Sequence, residues 1–185
     1  RMARTVAYVP QAHTPPFAFT ALDVVVMGRN AHMGSFSAPS AEDLDIARSA
    51  LDRMGVLPLA QRSYTEMSGG ERQMVLIARA LAQEPAFLMM DEPAANLDFG
   101  NQARLLRQVE RLRASGLGIV MSTHAPDQVF HCGTKAALLT QSGLCVGAPE
   151  EVLTAARLEE AYGVPIGILT GSCGGQSVRC CVALS

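Results

Sequence analysis

The sequence predicts an α/β fold in which a mostly parallel sheet is flanked by helices and carries a helical subdomain. Three observations point to it. Residues Ala86 to Met90 are apolar at every position, the pattern of a strand covered on both faces, and such strands belong to parallel sheets. A second apolar run, Gly118 to Ser122, follows a helical pattern from Asn101 to Ser115 in which Leu105, Val109 and Leu112 form one stripe. Ahead of both, Ser68-Gly69-Gly70-Glu71 has the S-x-x-E spacing of a capping box that opens a helix.

In chain order, Thr5 to Val9 is a short β-prone run that stops at Pro10-Gln11, an edge or early strand ending in a loop. His13 to Phe19 contains Pro15-Pro16, which bars a helix, and reads as an exposed loop with apolar side chains suited to a partner. Leu22, Val25 and Val26 recur at near-helical spacing behind Thr20 or Asp23 as a cap and before Gly28. A loop rich in Gly, Ser, His and Pro spans Asn30 to Pro39. Ser40 then caps a helix with Leu44, Ala47, Leu51 and Met54 on one face, closed by Gly55. The helix after Ser68 runs to about Ala82 with Met74, Ile77, Ala78 and Leu81 on its apolar face. Beyond the sheet strands, Ala136 to Val146 predicts a hairpin around Ser142-Gly143, Pro149 starts a helix, and Arg157 to Tyr162 forms another that ends at Gly163-Val164-Pro165. The expected organisation is one domain over residues 1–170, with a helical subdomain over about 20–83 and a tail without regular order from 171 to 185.

The composition narrows the function classes. A chain of 185 residues with 49% apolar and 17% charged residues supports one sizeable core. No apolar run approaches the ~20 residues that span a bilayer. The net charge of −2 and scattered Lys and Arg argue against nonspecific nucleic-acid binding. Cys132, Cys145, Cys173, Cys180 and Cys181 form no C-x-x-C pair and point to reduced, buried or incidental thiols in a cytosolic protein. The first residue is Arg1 rather than Met, and no signal-peptide pattern follows.

The chemistry-bearing residues fall at element ends. Ser68, Gly69 and Gly70 leave bare amides at a helix N-terminus, which is an anion site; alone, S-G-G-E equally describes a structural cap. Asp91-Glu92 follow the first apolar strand and Thr123-His124 the second, at the carboxyl edge where open α/β sheets hold their sites. The order of parts is a strand ending in Gln11, a helical insertion, Met67 to Gln73 as MSGGERQ, a strand ending in Asp91-Glu92-Pro93, then Asn96-Leu97-Asp98, and a strand ending in His124. This order resembles the ATP-binding subunit of an ABC transporter over roughly Thr5 to Gly167.

The resemblance implies a P-loop NTPase-like ABC ATPase domain with ATP and Mg2+ as ligands. Asp91 matches the aspartate that holds hydrated Mg2+, and Glu92 matches the glutamate that polarises the attacking water. His124 matches the switch histidine on the γ-phosphate. Gln11 matches the glutamine that reaches Mg2+ and water, and the loop with Pro15, Pro16 and Phe17 would face a transmembrane subunit. Ser68, Gly69 and Gly70 match the signature motif, which contacts ATP held by a facing subunit; Met67 stands where leucine is usual. Asp98 matches the aspartate at the dimer interface. The implied partners are a second ATPase subunit as a homodimer, permease subunits and, indirectly, a substrate-binding protein, with no nucleic acid, at the cytoplasmic face of the membrane. The stretches Asp23 to Arg29 with His32, Asn96 to Gln102, and Glu160 to Val164 resemble subunits serving iron-siderophore, haem, vitamin B12 or molybdate uptake.

One departure from the family pattern is large: no G-x-x-x-x-G-K-[ST] occurs in the 185 residues. The expectation is therefore an N-terminally truncated ATPase lacking its β-rich part, inactive alone and with apolar surface exposed where further strands and a helix would pack. A degenerate partner that donates only its signature motif is the alternative. A chromosome-maintenance ATPase would need a long coiled coil between Gln11 and Ser68, and a translation-linked protein two cassettes; neither is present. A noncatalytic interaction module also remains, and it predicts that Glu92 is dispensable.

Overall fold

The computed structural model describes residues 5–11, 19–34 and 37–184, so the loop containing Pro15, Pro16 and Phe17 lies outside the described residues. The chain forms two compact units, Arg1–Ser122 and Thr123–Ser185.

The first unit is built on a three-stranded parallel sheet in the order β1-β2-β3, with β1 at Val6–Val9, β2 at Phe87–Met90 and β3 at Gly118–Met121. Val9 pairs with Met90 and Met90 with Met121, so all three strands end at one edge. Between β1 and β2 the described residues make three α-helices, α1 (Ala21–Val26), α2 (Ala41–Arg53) and α3 (Gly69–Ala82). Each starts at a capping box, Thr20 with Asp23, Ser40 with Asp43 and Ser68 with Glu71, which satisfies amides that would otherwise lack partners at the helix start. Ala21, Val24, Val25, Ala47, Leu51, Val75, Ile77 and Ala78 are fully enclosed, and α1, α2 and α3 pack mutually while α3 also packs on β1. A buried Arg29 joins these parts. Its Nε donates to Asp43 Oδ1 at 2.9 Å, and its Nη1 donates to Ala82 O at 2.8 Å and Glu84 Oε2 at 2.6 Å. The helix α4 (Phe99–Ala114) then leads back to β3.

The sheet departs from the sequence expectation on one face. Ala7, Val9, Leu88 and Met90 are buried, but Tyr8, Phe87, Met89 and Val120 are exposed, so β2 is covered on one face rather than both and β3 is only partly buried. The reason is period two: alternate side chains face opposite ways, and no described layer covers the second set. The phenyl ring of Phe87 lies over Gly118, where a Cβ would clash with it.

The second unit holds α5 (Pro126–Cys132), the antiparallel pair β4 (Ala136–Thr140) and β5 (Gly143–Gly147), α6 (Pro149–Val152), α7 (Ala155–Tyr162), and a second antiparallel pair, β6 (Ile166–Cys173) and β7 (Gln176–Ala183). Its core gathers Ala136, Val152, Leu153 and Leu158, with Val129, Phe130, Cys145, Ile166 and Cys181 packed against it. Residues 171–185, expected as a tail without regular order, instead carry the end of β6 and all of β7 across a turn at Gly174-Gly175, where both glycines have positive φ. The physical reason is that a Gly-Gly pair between two runs of β-compatible residues favours a tight hairpin. Asp127 accepts the Cys181 amide at 2.6 Å, tying β7 to α5. Burial, with the Asp127 carboxylate beside it, pushes the Cys181 thiol up to about 11.

Candidate functional site

The carboxyl edge of the first unit's sheet brings together Gln11, Asp91 and Glu92, three of the residues singled out in the sequence. The ladder ends with Asp91 N donating to Val9 O at 3.0 Å and Ser122 N donating to Met90 O at 3.0 Å. The strands therefore deliver Asp91 and Ser122 side by side. Ser122 Oγ donates to Asp91 Oδ1 at 2.7 Å, and Tyr8 Oη donates to Asp91 Oδ2 at 3.3 Å. Gln11 Nε2 donates to Glu92 Oε2 at 3.0 Å. The neighbouring carboxylate, after the penalty of burial, raises the pKa of the Tyr8 phenol.

Glu92 has a φ of 43°, a left-handed conformation that a non-glycine residue rarely adopts. Such a residue costs about 1–3 kcal/mol and persists only where its surroundings impose it. Here Ser122 Oγ accepts the Glu92 amide at 2.9 Å, and the turn continues with Ala95 N donating to Glu92 O at 3.0 Å. Pro93 and Ala94 behind it are buried, so the turn is anchored from below.

Ser68, Gly69, Gly70 and Asp98 meet elsewhere in the same unit. Ser68 N donates to Glu71 Oε2 at 2.7 Å and Ser68 Oγ accepts Glu71 N at 3.3 Å, completing the capping box. Those bonds to Ser68 hold the Glu71 carboxyl below its ordinary value. Asp98 caps α4: its Oδ1 accepts Asn101 N at 2.9 Å and its Oδ2 accepts Asn101 Nδ2 at 2.6 Å, which lowers its pKa. The Asn101 carboxamide so held lies against Gly70, where a Cβ would overlap it, and Leu97 reaches Gly69. Backbone of the α3 N-terminus is thus left open by glycine and backed by the 97–101 segment. Beside it a cleft of about 430 Å³ runs between Val56, Met74, Arg104 and Gln108.

His124 belongs to the second unit, where Tyr162 Oη donates to its main-chain carbonyl at 2.8 Å. Sequence reasoning missed Ser122, Tyr8 and Asn101 as site-forming residues. The signals were present: Ser122 closes an apolar run as Asp91 does, Tyr8 lies three residues before Gln11, and Asn101 stands three after a capping Asp98.

The donor set suits a hydrated hard cation carried by a polyphosphate. Mg2+ is held by one or two carboxylates plus phosphates and retained waters rather than by an all-protein cage. Asp91 offers the carboxylate and Gln11 an amide oxygen, while no group of three metal-ligating side chains occurs among the described residues.

Comparison with known proteins shows the family. The family model for ABC transporters matches residues 1–95. An uncharacterized ABC transporter ATP-binding protein of Haemophilus influenzae is 44% identical over 87% of this chain and 62% of its own length. The molybdate import ATP-binding protein MolC of the same organism is 35% identical over 88% of the chain and 65% of its own length. The chain thus spans less than two thirds of these curated relatives. Among solved structures, a metal-chelate type ABC transporter in an inward-facing conformation superposes with a TM-score of 0.94 at 34% identity, covering 98% of this chain and 72% of that one.

Proposed function

The chain belongs to the ABC transporter family, and from that premise we propose that it is the ATP-hydrolysing subunit of an importer for a metal chelate. The observation that carries the reading is the joining of Gln11 to Glu92 beside Asp91 at the carboxyl edge of the parallel sheet. Glu92 is the carboxylate that accepts a proton from, and orients, the water attacking the γ-phosphate. Asp91 and Gln11 would hold Mg2+, which would neutralise charge developing on the phosphates. Gln11 would report whether nucleotide is present, because its amide bonds Glu92 here and would be free to turn to the cation when one is held. His124 contacts the γ-phosphate and keeps the water in line.

Ser68, Gly69 and Gly70 act across a homodimer, presenting helix N-terminal amides and a hydroxyl to the γ-phosphate held by the facing subunit. Asp98, which caps α4 beside Gly70, lies at that interface and connects the two sites. The transported substrate contacts permease subunits and a binding protein, not this chain. A metal chelate or molybdate fits the names of the similar proteins. No helix among the described residues is long and apolar enough to cross a membrane, and the proposed place is the cytoplasmic face, bound to the permease.

Glu92→Gln is the deciding substitution. It keeps the shape and the hydrogen bond to Gln11 but removes the base, and in the chain extended upstream to carry the phosphate-binding loop it should lower steady-state hydrolysis by about 100-fold or more. ATP-dependent dimerisation, followed by size-exclusion chromatography, should survive. Unchanged hydrolysis would remove Glu92 from the mechanism and favour a noncatalytic module.

A further inference from the structure

Ser122 stands one residue past β3 and directly beside Asp91. Its main chain is fixed by the ladder bond to Met90 O at 3.0 Å, which brings its hydroxyl within reach of both Asp91 and Glu92. A hydroxyl carries one hydrogen and two acceptor lone pairs. The hydrogen is spent on Asp91 Oδ1 at 2.7 Å, a separation typical of a charge-assisted bond, and a lone pair takes the Glu92 amide at 2.9 Å. The two contacts are complementary: an acceptor-only group could not serve Asp91, and a donor-only group could not serve Glu92.

The second contact falls on the residue with φ 43°. Asp91 N still pairs with Val9 O, but the next amide, that of Glu92, finds the Ser122 side chain where a regular ladder would offer a main-chain carbonyl. This is the point at which the chain leaves β2 and turns. Tyr8 Oη takes the other Asp91 oxygen at 3.3 Å, so the carboxylate is held from two sides and each oxygen keeps a free lone pair for a hydrated cation.

We infer that Ser122 is a positioning residue for hydrolysis, holding Asp91 in one rotation and Glu92 in the left-handed conformation that aims its carboxylate. The inference rests on the proposed roles of Asp91 and Glu92. Its reach is through those two residues; Ser122 itself need not touch nucleotide.

The experiment compares Ser122→Ala, Ser122→Thr and Glu92→Gln in the purified protein extended upstream to carry the phosphate-binding loop. Ser122→Ala should lower kcat by about 10- to 100-fold, the usual effect of losing a partner that orients a ligating group, with the KM for MgATP within about twofold. Ser122→Thr, which keeps the hydroxyl and suits a strand end, should recover kcat. Without nucleotide, hydrogen exchange read by NMR should show a protected Glu92 amide in the parent and in Ser122→Thr and a fast one in Ser122→Ala, while Leu88 and Val120 amides keep their protection. A parent-like kcat in Ser122→Ala, or a Glu92 amide still protected there, would overturn the inference. If Glu92→Gln hydrolyses normally, the proposed catalytic reading fails by itself, and the exchange result still decides whether Ser122 holds the turn.

Discussion

At Gly70, a single missing side chain connects the capped N-terminus of α3 to the 97–101 segment. Glycine inside a helix is ordinarily a weakness, costing about 0.5–1 kcal/mol relative to alanine, so Gly70→Ala should stabilise if helix propensity ruled. The added methyl would instead meet the Asn101 carboxamide, which is held by Asp98 at 2.6 Å and approached by Arg104 at 3.3 Å. Displacing a held group of this kind costs about 1–3 kcal/mol, so the overpacking term exceeds the propensity gain. Gly70→Ala should therefore lower unfolding stability by about 1–2 kcal/mol in urea denaturation. Higher stability in that variant would mean that Asn101 yields freely. The S-x-x-E capping box was legible in the sequence because both partners lie within one turn. The Gly70 to Asn101 contact and the Ser122 bonds were not, because they depend on how elements distant in sequence come to lie together.

Among elements, the helical insertion was the most readable part, since Thr20, Ser40 and Ser68 each announce a helix start; the capping box at Ser68 closes as expected, and Thr20 and Ser40 form two more. The short α5 escaped notice because it has no side-chain cap, only Pro126 at its start. The β6 and β7 hairpin was misread because Gly174-Gly175 signals loss of order as readily as a tight turn, and the long-range pairing decides between them. What holds the insertion together was also hidden. Arg29 reaches Asp43, Glu84 and Ala82 O from a nearly buried position, and only a planar guanidinium presents donors in that fork. Arg29→Ala should cost about 1–3 kcal/mol, chiefly because it leaves the buried Ala82 O without its donor, and Arg29→Lys should recover only part of it. Hydrogen bonds from Ser40 and then Arg29 pull the Asp43 carboxyl from 3.8 down to about 2. A depressed folded pKa contributes stability that is full above the unfolded value and fades as pH falls toward the folded one. Urea midpoints should therefore drop between about pH 4 and pH 2, and more shallowly in Arg29→Ala. A parallel acid response in both proteins would remove Arg29 from the cause.

At the scale of the whole molecule, the parallel sheet and the edge that carries Asp91 and Glu92 followed from apolar runs alternating with capped helices. The two-faced burial assigned to β2 did not hold, since an apolar run cannot tell how many layers cover it. The open face carries Tyr8 at 56%, Phe87 at 51%, Met89 at 42% and Val120 at 56% exposure, and these residues are neighbours across the register Tyr8 to Met89 to Val120. A contiguous apolar patch on a sheet drives association or dye binding unless something covers it, whereas the opposite face is buried by Ala7, Val9, Leu88 and Met90. The 185-residue chain should bind 1-anilinonaphthalene-8-sulfonate while retaining its helical circular dichroism. Val120→Lys and Met89→Lys place charges in the middle of the patch without touching the buried face or the Asp91 edge, so they should reduce dye fluorescence several-fold and suppress concentration-dependent light scattering. Equal loss of dye binding and of helical signal would indicate unfolding instead, and unchanged fluorescence in both folded variants would place the apolar surface elsewhere. The leading alternative location is the outer face of β4 and β5, where Leu139 and Leu144 pair across the strands in full view of solvent. Leu139→Lys separates the two, because it should leave the signal intact if the sheet face of the first unit is its source.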